Sequence, residues 1–269
     1  MAVNADNPVP STDPALLAID GAIATITLNR PAVFNAIDLS IAKKLEELAA
    51  EVEASSNIKV LVLEGAGRAF CAGGDLQTIG AATAADTVTP VIGELLRHYH
   101  AFIAALRRMP KIVVSSVHGS AAGAGFSLAF LADLCIATED ARFSPAYARL
   151  GVSPDGGGTI GVTAAVGAKR ALQIFLAEDN FSAAQAFEWG LVTAVVPVSE
   201  LKAATRQLAL RLAQNAPSAI AATKMLIQRA PTSPLAQQLD AERDAIIACM
   251  HTDEARAAIE KFTRKGKST

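Results

Sequence analysis

One acidic side chain lies in a loop made mostly of small residues. The segment LGVSPDGGGT, residues 150–159, contains four glycines and a single carboxylate, Asp155. Glycine lets the backbone approach a ligand closely and adopt angles that other residues avoid. A carboxylate in such a loop can act as a general base, because partial desolvation makes it more basic. The Pro-Asp-Gly sequence also favours a simple turn, so both interpretations stay open here.

Two further glycine-rich segments each follow an apolar, strand-like stretch. GRAFCAGGDL (67–76) comes after IKVLVLEG (58–65), and VHGSAAGAGFSLA (117–129) leads from a strand into a helix. Backbone N–H groups in the first turn of a helix lack internal acceptors and attract negative charge. If the two segments converge, they form a two-donor oxyanion hole. Close packing is the alternative, and neither segment fits the GxGxxG pattern of a dinucleotide-binding unit.

An alternation of strands and helices must position these three loops. The hydrophobic patterns predict strands at 16–20, 22–28, 58–65, 111–119, 134–145 and 191–197. They predict helices at 39–54, 89–109, 123–132, 168–178 and 182–190, the first of them capped by Asp38 or Ser40. The repeated order of strand, strand and helix favours the α/β class with βαβ-like crossovers.

The chain divides into three parts on this pattern. Residues 1–14 are predicted to be a flexible polar tail, and residues 15–198 form the α/β core. After Pro197 the pattern changes, since 199–229 and 234–264 are amphipathic helical stretches without a strand between them. We therefore predict a helical subdomain at 199–269 that packs on the core or on another subunit, because it is too thin to be stable by itself.

Composition excludes several classes of protein. The 269 residues carry a net charge of −2 with 51% apolar residues, so we expect a sizeable core and no general attraction for nucleic acid or anionic membranes. Three widely spaced cysteines without CxxC, and four histidines without HExxH, predict neither a disulfide framework nor a metal site. With no signal peptide and no apolar run of about 18 residues, we expect a soluble cytoplasmic protein.

Five segments, in this order, resemble those of the enoyl-CoA hydratase/isomerase (crotonase) superfamily. They are LNRPAVFNAID, GRAFCAGGDL, VHGSAAGAGFSLAFLADLCIATEDARF, LGVSPDGGGT and AFEWGLVTAVV. The resemblance extends from about residue 15 to residue 265. It implies a crotonase (ClpP-like) spiral of ββα turns with a C-terminal helical region that builds homotrimers, often paired into hexamers. It also implies an acyl-CoA thioester substrate and no cofactor, since CoA is part of the substrate.

The resemblance assigns the glycine-rich segments to binding of the thioester. In this family two backbone N–H groups hold the thioester carbonyl, and the motifs carry these roles to Gly74 and Ala124. The segment that contains Ala72, Asp75 and Leu76 is where the family grips the CoA adenine. Arg30 is then a neighbour of the phosphates or the adenine, or else a surface cation.

The sequence departs from a typical hydratase at both catalytic glutamates. The family positions are occupied by Ser127 and Tyr147, which are poor substitutes for groups that position water and transfer protons. Aspartate at the position of Asp155 resembles the ring-1,2-epoxyphenylacetyl-CoA isomerases of phenylacetate breakdown, and also dienoyl-CoA isomerases. We therefore expect an isomerase in which Asp155 is the base, with Ser127 and Tyr147 lining the substrate pocket.

Other functions stay open on the sequence. One is an enoyl-CoA hydratase of fatty-acid or aromatic catabolism, and another is a non-catalytic acyl-CoA binder. A third resembles 4-chlorobenzoyl-CoA dehalogenase, with Asp155 as nucleophile, His100 near the position of a base, and Tyr147 replacing an indole. RNA binding through a lysine-rich helix is disfavoured, because 39–54 has four glutamates against two lysines.

Overall fold

Nine strands and ten helices make up the part of the chain that the structure describes. The structure, a computed structural model, describes residues 12–265, with side chains through residue 263; most of the predicted tail (1–14) lies outside this range. The strands are β1 (Ala15–Asp20), β2 (Ile23–Leu28), β3 (Val60–Gly65), β4 (Ile112–Val117), β5 (Ser120–Ala122), β6 (Leu134–Thr138), β7 (Arg142–Ser144), β8 (Phe181–Ser182) and β9 (Ala194–Val196). The helices are α1 (Leu39–Ala54), α2 (Leu76–Ala84), α3 (Val88–Arg108), α4 (Ala124–Leu131), α5 (Gly158–Ala177), α6 (Ala183–Glu188), α7 (Leu201–Ala213), α8 (Pro217–Arg229), α9 (Leu235–Met250) and α10 (Asp253–Lys265).

The strands form a large and a small sheet. The large sheet has the order β1-β2-β3-β4-β6-β9, and the small one has the order β5-β7-β8. Apart from the antiparallel β1–β2 hairpin, the strands of the large sheet run parallel. Three ββα units recur along the chain, namely β1-β2-α1, β4-β5-α4 and β6-β7-α5. The predicted α/β spiral is therefore present.

The two faces of the large sheet are covered by different parts of the chain. On one face lie α1, α3 and α4, whose buried side chains include Leu45, Phe102 and Phe126. On the other face, Leu201 and Leu208 of α7 pack against sheet residues such as Val60, Val62 and Val114. Thus α7 completes the core, although it lies beyond residue 198. The predicted division between the α/β core and the C-terminal helical subdomain at residue 198 stays a prediction.

Several predicted elements are confirmed, and others differ in extent. The prediction for α1 is right in both bounds, and Asp38 caps it by accepting from the Ile41 N–H at 3.1 Å. The predicted strand at 134–145 is two strands, because the chain turns where the Ala141 N–H bonds the Thr138 carbonyl. Each long C-terminal helical stretch is two helices, and α8 begins with Pro217, which lacks the N–H needed to continue α7.

Two helices near the glycine-rich loops differ from the prediction. The sequence pattern missed α2, whose small residues carry a weak helical signal; the Asp75 carboxylate caps it by accepting from the N–H groups of Gln77 and Thr78. The prediction of 168–178 covers only the second half of α5, which starts at Gly158 and changes direction at Gly167, where φ is 74°.

By length and composition α5 is a candidate membrane span, and it is the one such helix in the described residues. Core helices of globular proteins pass the same test. Its first turns pack tightly on α4, since a Cβ on Gly158 would lie 2.3 Å from Ser127 Oγ and one on Gly161 would lie 2.1 Å from the Phe130 carbonyl. These contacts place the start of α5 against α4, beside the loop that contains Asp155.

Candidate active site

Two glycine-rich turns meet at the carboxyl ends of neighbouring parallel strands. The first turn, residues 66–75, follows β3, and the second turn, residues 118–123, follows β4 and contains β5. They are joined by backbone hydrogen bonds from Cys71 N–H to the Ser120 carbonyl (3.1 Å) and from Ala122 N–H to the Cys71 carbonyl (2.9 Å). A Cβ on Gly125 would lie 2.3 Å from the Cys71 carbonyl oxygen, so a side chain there would force the two turns apart.

Gly73 and Gly123 bring backbone N–H groups of both turns together. Gly73 has φ of 99°, and a Cβ placed on it would lie 3.3 Å from the Ala124 nitrogen. Ala124 is the first residue of α4 and follows Gly123, whose φ is 49°. Such positive angles favour glycine, which has no Cβ to clash with the backbone.

The two predicted oxyanion donors are free of internal partners. The residues on either side of Gly74 are hydrogen-bonded to Ile37. The Ile37 N–H donates to the Gly73 carbonyl (2.7 Å), and the Asp75 N–H donates to the Ile37 carbonyl (2.9 Å). Neither the Gly74 N–H nor the Ala124 N–H has a hydrogen-bond acceptor among the residues that the structure describes. Paired, preorganised N–H donors of this kind can stabilise a developing oxyanion.

Asp155 lies in a chain of hydrogen-bonded side chains. The Tyr147 hydroxyl donates to Asp155 Oδ1 at 2.7 Å and lies 2.8 Å from Ser127 Oγ. Ser127 is three residues after Ala124 on α4, about one helical turn away. Ala122 and Ser144, at the carboxyl ends of the parallel strands β5 and β7, are register partners. This pairing places the start of α4 on the same side of the small sheet as the segment that leads to Tyr147.

The glycines after Asp155 allow its loop to pack on α3 and α4. A Cβ on Gly156 would lie 2.9 Å from the Tyr99 ring, and one on Gly157 would lie 2.7 Å from the Leu131 side chain. Both glycines also have positive φ, 59° and 77°. The Gly158 N–H bonds the Asp155 carbonyl at 3.2 Å, so the predicted turn is present and at the same time directs the Asp155 side chain to Tyr147.

Tyr99 connects the two halves of this region. Its hydroxyl donates to the Ala124 carbonyl at 3.0 Å, and its ring contacts the backbone just after Asp155. The sequence interpretation selected the neighbouring His100 and missed Tyr99. The spacing of Leu95, Tyr99, Phe102 and Leu106 on α3 could have identified it, because these buried residues form one stripe of the helix.

Burial keeps the hydroxyls of Tyr147 and Tyr99 and the thiol of Cys71 protonated. The pKa of Tyr147 is raised far above its usual range by burial and then by the charge of Asp155, and the pKa of Tyr99 is raised by the same two causes. Burial raises the pKa of Cys71 to about 12. At neutral pH these three groups are therefore uncharged.

Comparison with known proteins decides the family. The model of the enoyl-CoA hydratase/isomerase family matches residues 18–269. The chain belongs to this family. The 1,2-epoxyphenylacetyl-CoA isomerase of Escherichia coli K12 is 35% identical over 248 residues, which cover 92% of this chain and 94% of that protein.

Solved structures of this enoyl-CoA hydratase/isomerase family share the fold. An enoyl-CoA hydratase from Polaromonas sp. JS666 has a TM-score of 0.86 at 31% identity, over 93% of this chain and 97% of that one. A protein from Thermobifida fusca YX, solved in complex with CoA, has a TM-score of 0.80 at 31% identity, over 88% and 93% of the two chains. The predicted crotonase fold is confirmed, whereas the relatives carry both isomerase and hydratase names.

Arg30, which the family resemblance placed near CoA, lies in an ion-pair network with two helix caps. Its guanidinium is 2.7 Å from the Asp38 carboxylate and 3.4 Å from that of Asp75, and it also bonds the Ala36 carbonyl. These carboxylates cap α1 and α2. The structure therefore gives Arg30 a local supporting role beside Gly74, and contact with a phosphate stays a prediction.

The remaining predicted site residues lie at the surface. Ala72 is exposed, with its N–H donated to the Phe34 carbonyl at 2.9 Å, and the Leu76 side chain is 60% exposed. The structure does not bring His100 into the cluster around Asp155, because its side chain is exposed and its recorded contact is with the Tyr99 ring, at 6.3 Å between centroids. Within the described residues no group of three or more His, Cys, Asp or Glu side chains is arranged to hold a metal ion.

Proposed function

We propose that this protein is an acyl-CoA isomerase that moves a proton along the acyl chain through a thioester enolate. The observation that carries the proposal is the position of Asp155. Its carboxylate accepts a hydrogen bond from Tyr147, and Tyr147 also bonds Ser127, which lies one helical turn from the Ala124 N–H. The similarity to a 1,2-epoxyphenylacetyl-CoA isomerase and to a protein solved with CoA supports the reaction and the substrate class.

The reaction uses the two halves of the site in turn. The thioester carbonyl accepts hydrogen bonds from the Gly74 and Ala124 N–H groups, which makes a neighbouring C–H bond more acidic. Asp155 removes that proton, so that a C–H bond breaks, an O–H bond forms and the electron pair becomes an enolate. Asp155 then returns the proton to another carbon of the acyl chain, and the double bond shifts. Each amide donor of this kind contributes about 2.7–4 kcal/mol of transition-state stabilisation.

The groups at the two glutamate positions favour isomerisation over hydration. Hydration needs groups that position a water molecule and exchange protons with it. Here the hydroxyls of Ser127 and Tyr147 bond each other, and the raised pKa of Tyr147 keeps its hydroxyl protonated and makes it a poor acid. One carboxylate is sufficient for a proton shuttle, whereas a hydratase of this family uses two.

The test replaces Asp155 by asparagine. We expect Asp155→Asn to abolish isomerisation of 3-enoyl- and ring-epoxide acyl-CoA thioesters and their proton exchange with D2O, followed by NMR and mass spectrometry. Binding of the thioester, measured by calorimetry, should persist because the amide donors are intact. The matched control is Asp140→Asn, an exposed aspartate in the turn after β6, which should keep wild-type activity.

Three results would contradict the proposal. Full activity of Asp155→Asn would exclude the assigned base, and rapid hydration of crotonyl-CoA by the wild-type protein would identify a hydratase. Thioester binding without turnover across the panel would identify a non-catalytic binder. The dehalogenase alternative predicts halide release from 4-chlorobenzoyl-CoA and its loss in His100→Gln, whereas we expect no release and an unchanged isomerase rate in that variant.

We also propose that the chain forms homotrimers, alone or in pairs. Among the residues that the structure describes, none of the side chains of α9 is buried, and its exposed apolar residues are Leu235, Leu239, Ile246, Ile247 and Met250. A face of this kind on a short helix needs a partner surface. Light scattering after size exclusion should give the mass of three or six chains, and a stable monomer would exclude the proposal.

A further inference from the structure

The proton positions between Asp155, Tyr147 and Ser127 follow from their chemistry. Among side chains, the Tyr147 oxygen has two hydrogen-bond partners, Asp155 Oδ1 at 2.7 Å and Ser127 Oγ at 2.8 Å, and it has one proton to donate. An ionised carboxylate can only accept, so Tyr147 donates to Asp155. The Tyr147 oxygen must then accept the hydroxyl proton of Ser127. The chain of donors runs from Ser127 through Tyr147 to Asp155.

This series of hydrogen bonds involves only one of the two oxygens of the Asp155 carboxylate. In the part of the chain that the structure describes, Oδ1 has the Tyr147 hydroxyl as a donor, and no donor is recorded for Oδ2. A hydrogen bond at one oxygen restricts rotation of the carboxylate about its terminal torsion. The second oxygen thus keeps a defined direction and an open lone pair.

The surroundings of Tyr147 fix the ring that makes this contact. The Tyr147 side chain is 7% exposed and packs beside the Phe175 ring, with 6.4 Å between centroids. Its carbonyl accepts from the Val152 N–H at 3.1 Å, which closes the loop toward Asp155. The preceding residue, Ala146, has φ of 63°, a costly angle for a residue with a side chain, of the kind often found at functional sites.

Ser127 is fixed as firmly as Tyr147. Its side chain is fully buried, and its N–H bonds the Gly123 carbonyl at 3.0 Å. A Cβ on Gly158 would lie 2.3 Å from Ser127 Oγ, so the space around the hydroxyl is filled by the backbone of α5. The serine hydroxyl therefore has little freedom to turn from Tyr147 toward another acceptor.

We propose that Tyr147, oriented by Ser127, is a positioning residue that holds Asp155 through Oδ1 and leaves Oδ2 as the oxygen that carries the substrate proton. This inference rests on the proposed role of Asp155 as the base. It extends that role by assigning a common function to the hydroxyls of Ser127 and Tyr147, at the positions where the family resemblance expects glutamates. Together they orient the Asp155 carboxylate. Tyr147 retains its own proton during the reaction because it is buried beside a negative charge.

The test removes the Tyr147 hydroxyl and keeps its ring. We expect Tyr147→Phe to lower kcat by roughly 10- to 100-fold, the range for a lost hydrogen bond to a charged group. KM should stay within about twofold, because the ring still fills its place and the amide donors are untouched. Ser127→Ala should lower kcat less, by roughly 2- to 10-fold, since it acts through a neutral hydrogen bond. Ser153→Ala, in an exposed part of the same loop, is the matched serine control and should retain wild-type kcat.

A second readout separates aiming of the carboxylate from a structural effect. In D2O, a free carboxylate can rotate while protonated and exchange its proton with solvent, so Tyr147→Phe should increase deuterium incorporation into product per turnover. Tyr99→Phe removes another buried hydroxyl that does not bond Asp155, and it should leave this incorporation unchanged.

The outcomes distinguish this inference from the proposed function. If Asp155→Asn is inactive but Tyr147→Phe keeps wild-type kcat and deuterium incorporation, the positioning role is wrong and the base assignment survives. If kcat falls with unchanged incorporation per turnover, the positioning role is also wrong. If Asp155→Asn is fully active, the proposed function itself fails. Should Tyr147→Phe not fold, Ser127→Ala decides by the same two readouts.

Discussion

The two halves of the site are built from different parts of the polypeptide. The proposed oxyanion half consists of main-chain N–H groups at Gly74 and Ala124, positioned by glycine turns and strand pairing. The base half consists of the side chains of Ser127, Tyr147 and Asp155, which bond one another. Main-chain donors persist through most side-chain changes, so the geometry of this half depends on the backbone turns. Side chains can be exchanged one at a time, so each member of the proposed base half can be tested by a single substitution.

Among variants that keep Asp155, the largest effect should come from pushing the two main-chain donors apart. In Gly73→Ala the new Cβ would lie 2.8 Å from the Ala122 carbonyl and 3.3 Å from the Ala124 nitrogen, at a φ of 99° that alanine rarely adopts. We expect kcat/KM to fall by about 10²- to 10³-fold, as for loss of one oxyanion donor.

Gly80→Ala is the matched control for this variant. Gly80 lies within α2, and a Cβ there meets nothing within 4 Å, so we expect wild-type activity. Wild-type kcat/KM in Gly73→Ala would mean that the oxyanion half does not depend on this close approach of the two turns.

A smaller effect is expected from Tyr99, which contacts both halves. In Tyr99→Phe the Ala124 carbonyl loses a 3.0 Å hydrogen bond, while the ring that supports the loop after Asp155 remains. A neutral hydrogen bond contributes about 0.5–1.5 kcal/mol, so kcat should fall by roughly 2- to 10-fold. Steady-state kinetics checks this, and a fall as large as that of Gly73→Ala would show that the two halves are not separable.

The smallest catalytic effect is expected at Arg30, which supports the oxyanion half from outside. Arg30→Met removes ion pairs with Asp38 and Asp75, so we expect the free energy of unfolding in urea to fall by about 1 kcal/mol with kcat within a few-fold of wild type.

Comparison of two substrates tests the alternative role of Arg30. If Arg30 only joins the caps of α1 and α2, the variant should have similar changes in KM for an acyl-CoA and for the matching acyl-pantetheine thioester. A tenfold rise in KM for the acyl-CoA alone would assign Arg30 to the nucleotide and contradict the supporting role.

The sequence predicted those parts of the site that depend on local pattern. Strand-forming residues followed by glycines located both oxyanion turns, and the bounds of α1 and its cap at Asp38 were right because capping is a local hydrogen bond. The helical spacing of apolar residues on α3 also indicated that Tyr99 is buried. The prediction chose His100 instead, because it counted residues back from the second glycine-rich segment by analogy with the dehalogenase. Since helix faces follow a 3.6-residue period, a shift of one residue moved that assignment from the buried to the exposed face.

By itself, the sequence determined the α/β order, the glycine turns and the presence of a single acid, Asp155, in the loop 150–159. Only the tertiary structure decided that Ser127, Tyr147 and Asp155 form one hydrogen-bonded chain, and that Arg30 pairs with two helix caps. The physical reason is range. Turns and helix faces depend on neighbours within a few residues, whereas the contact of Ser127 with Tyr147 depends on how β5, β7 and α4 pack together.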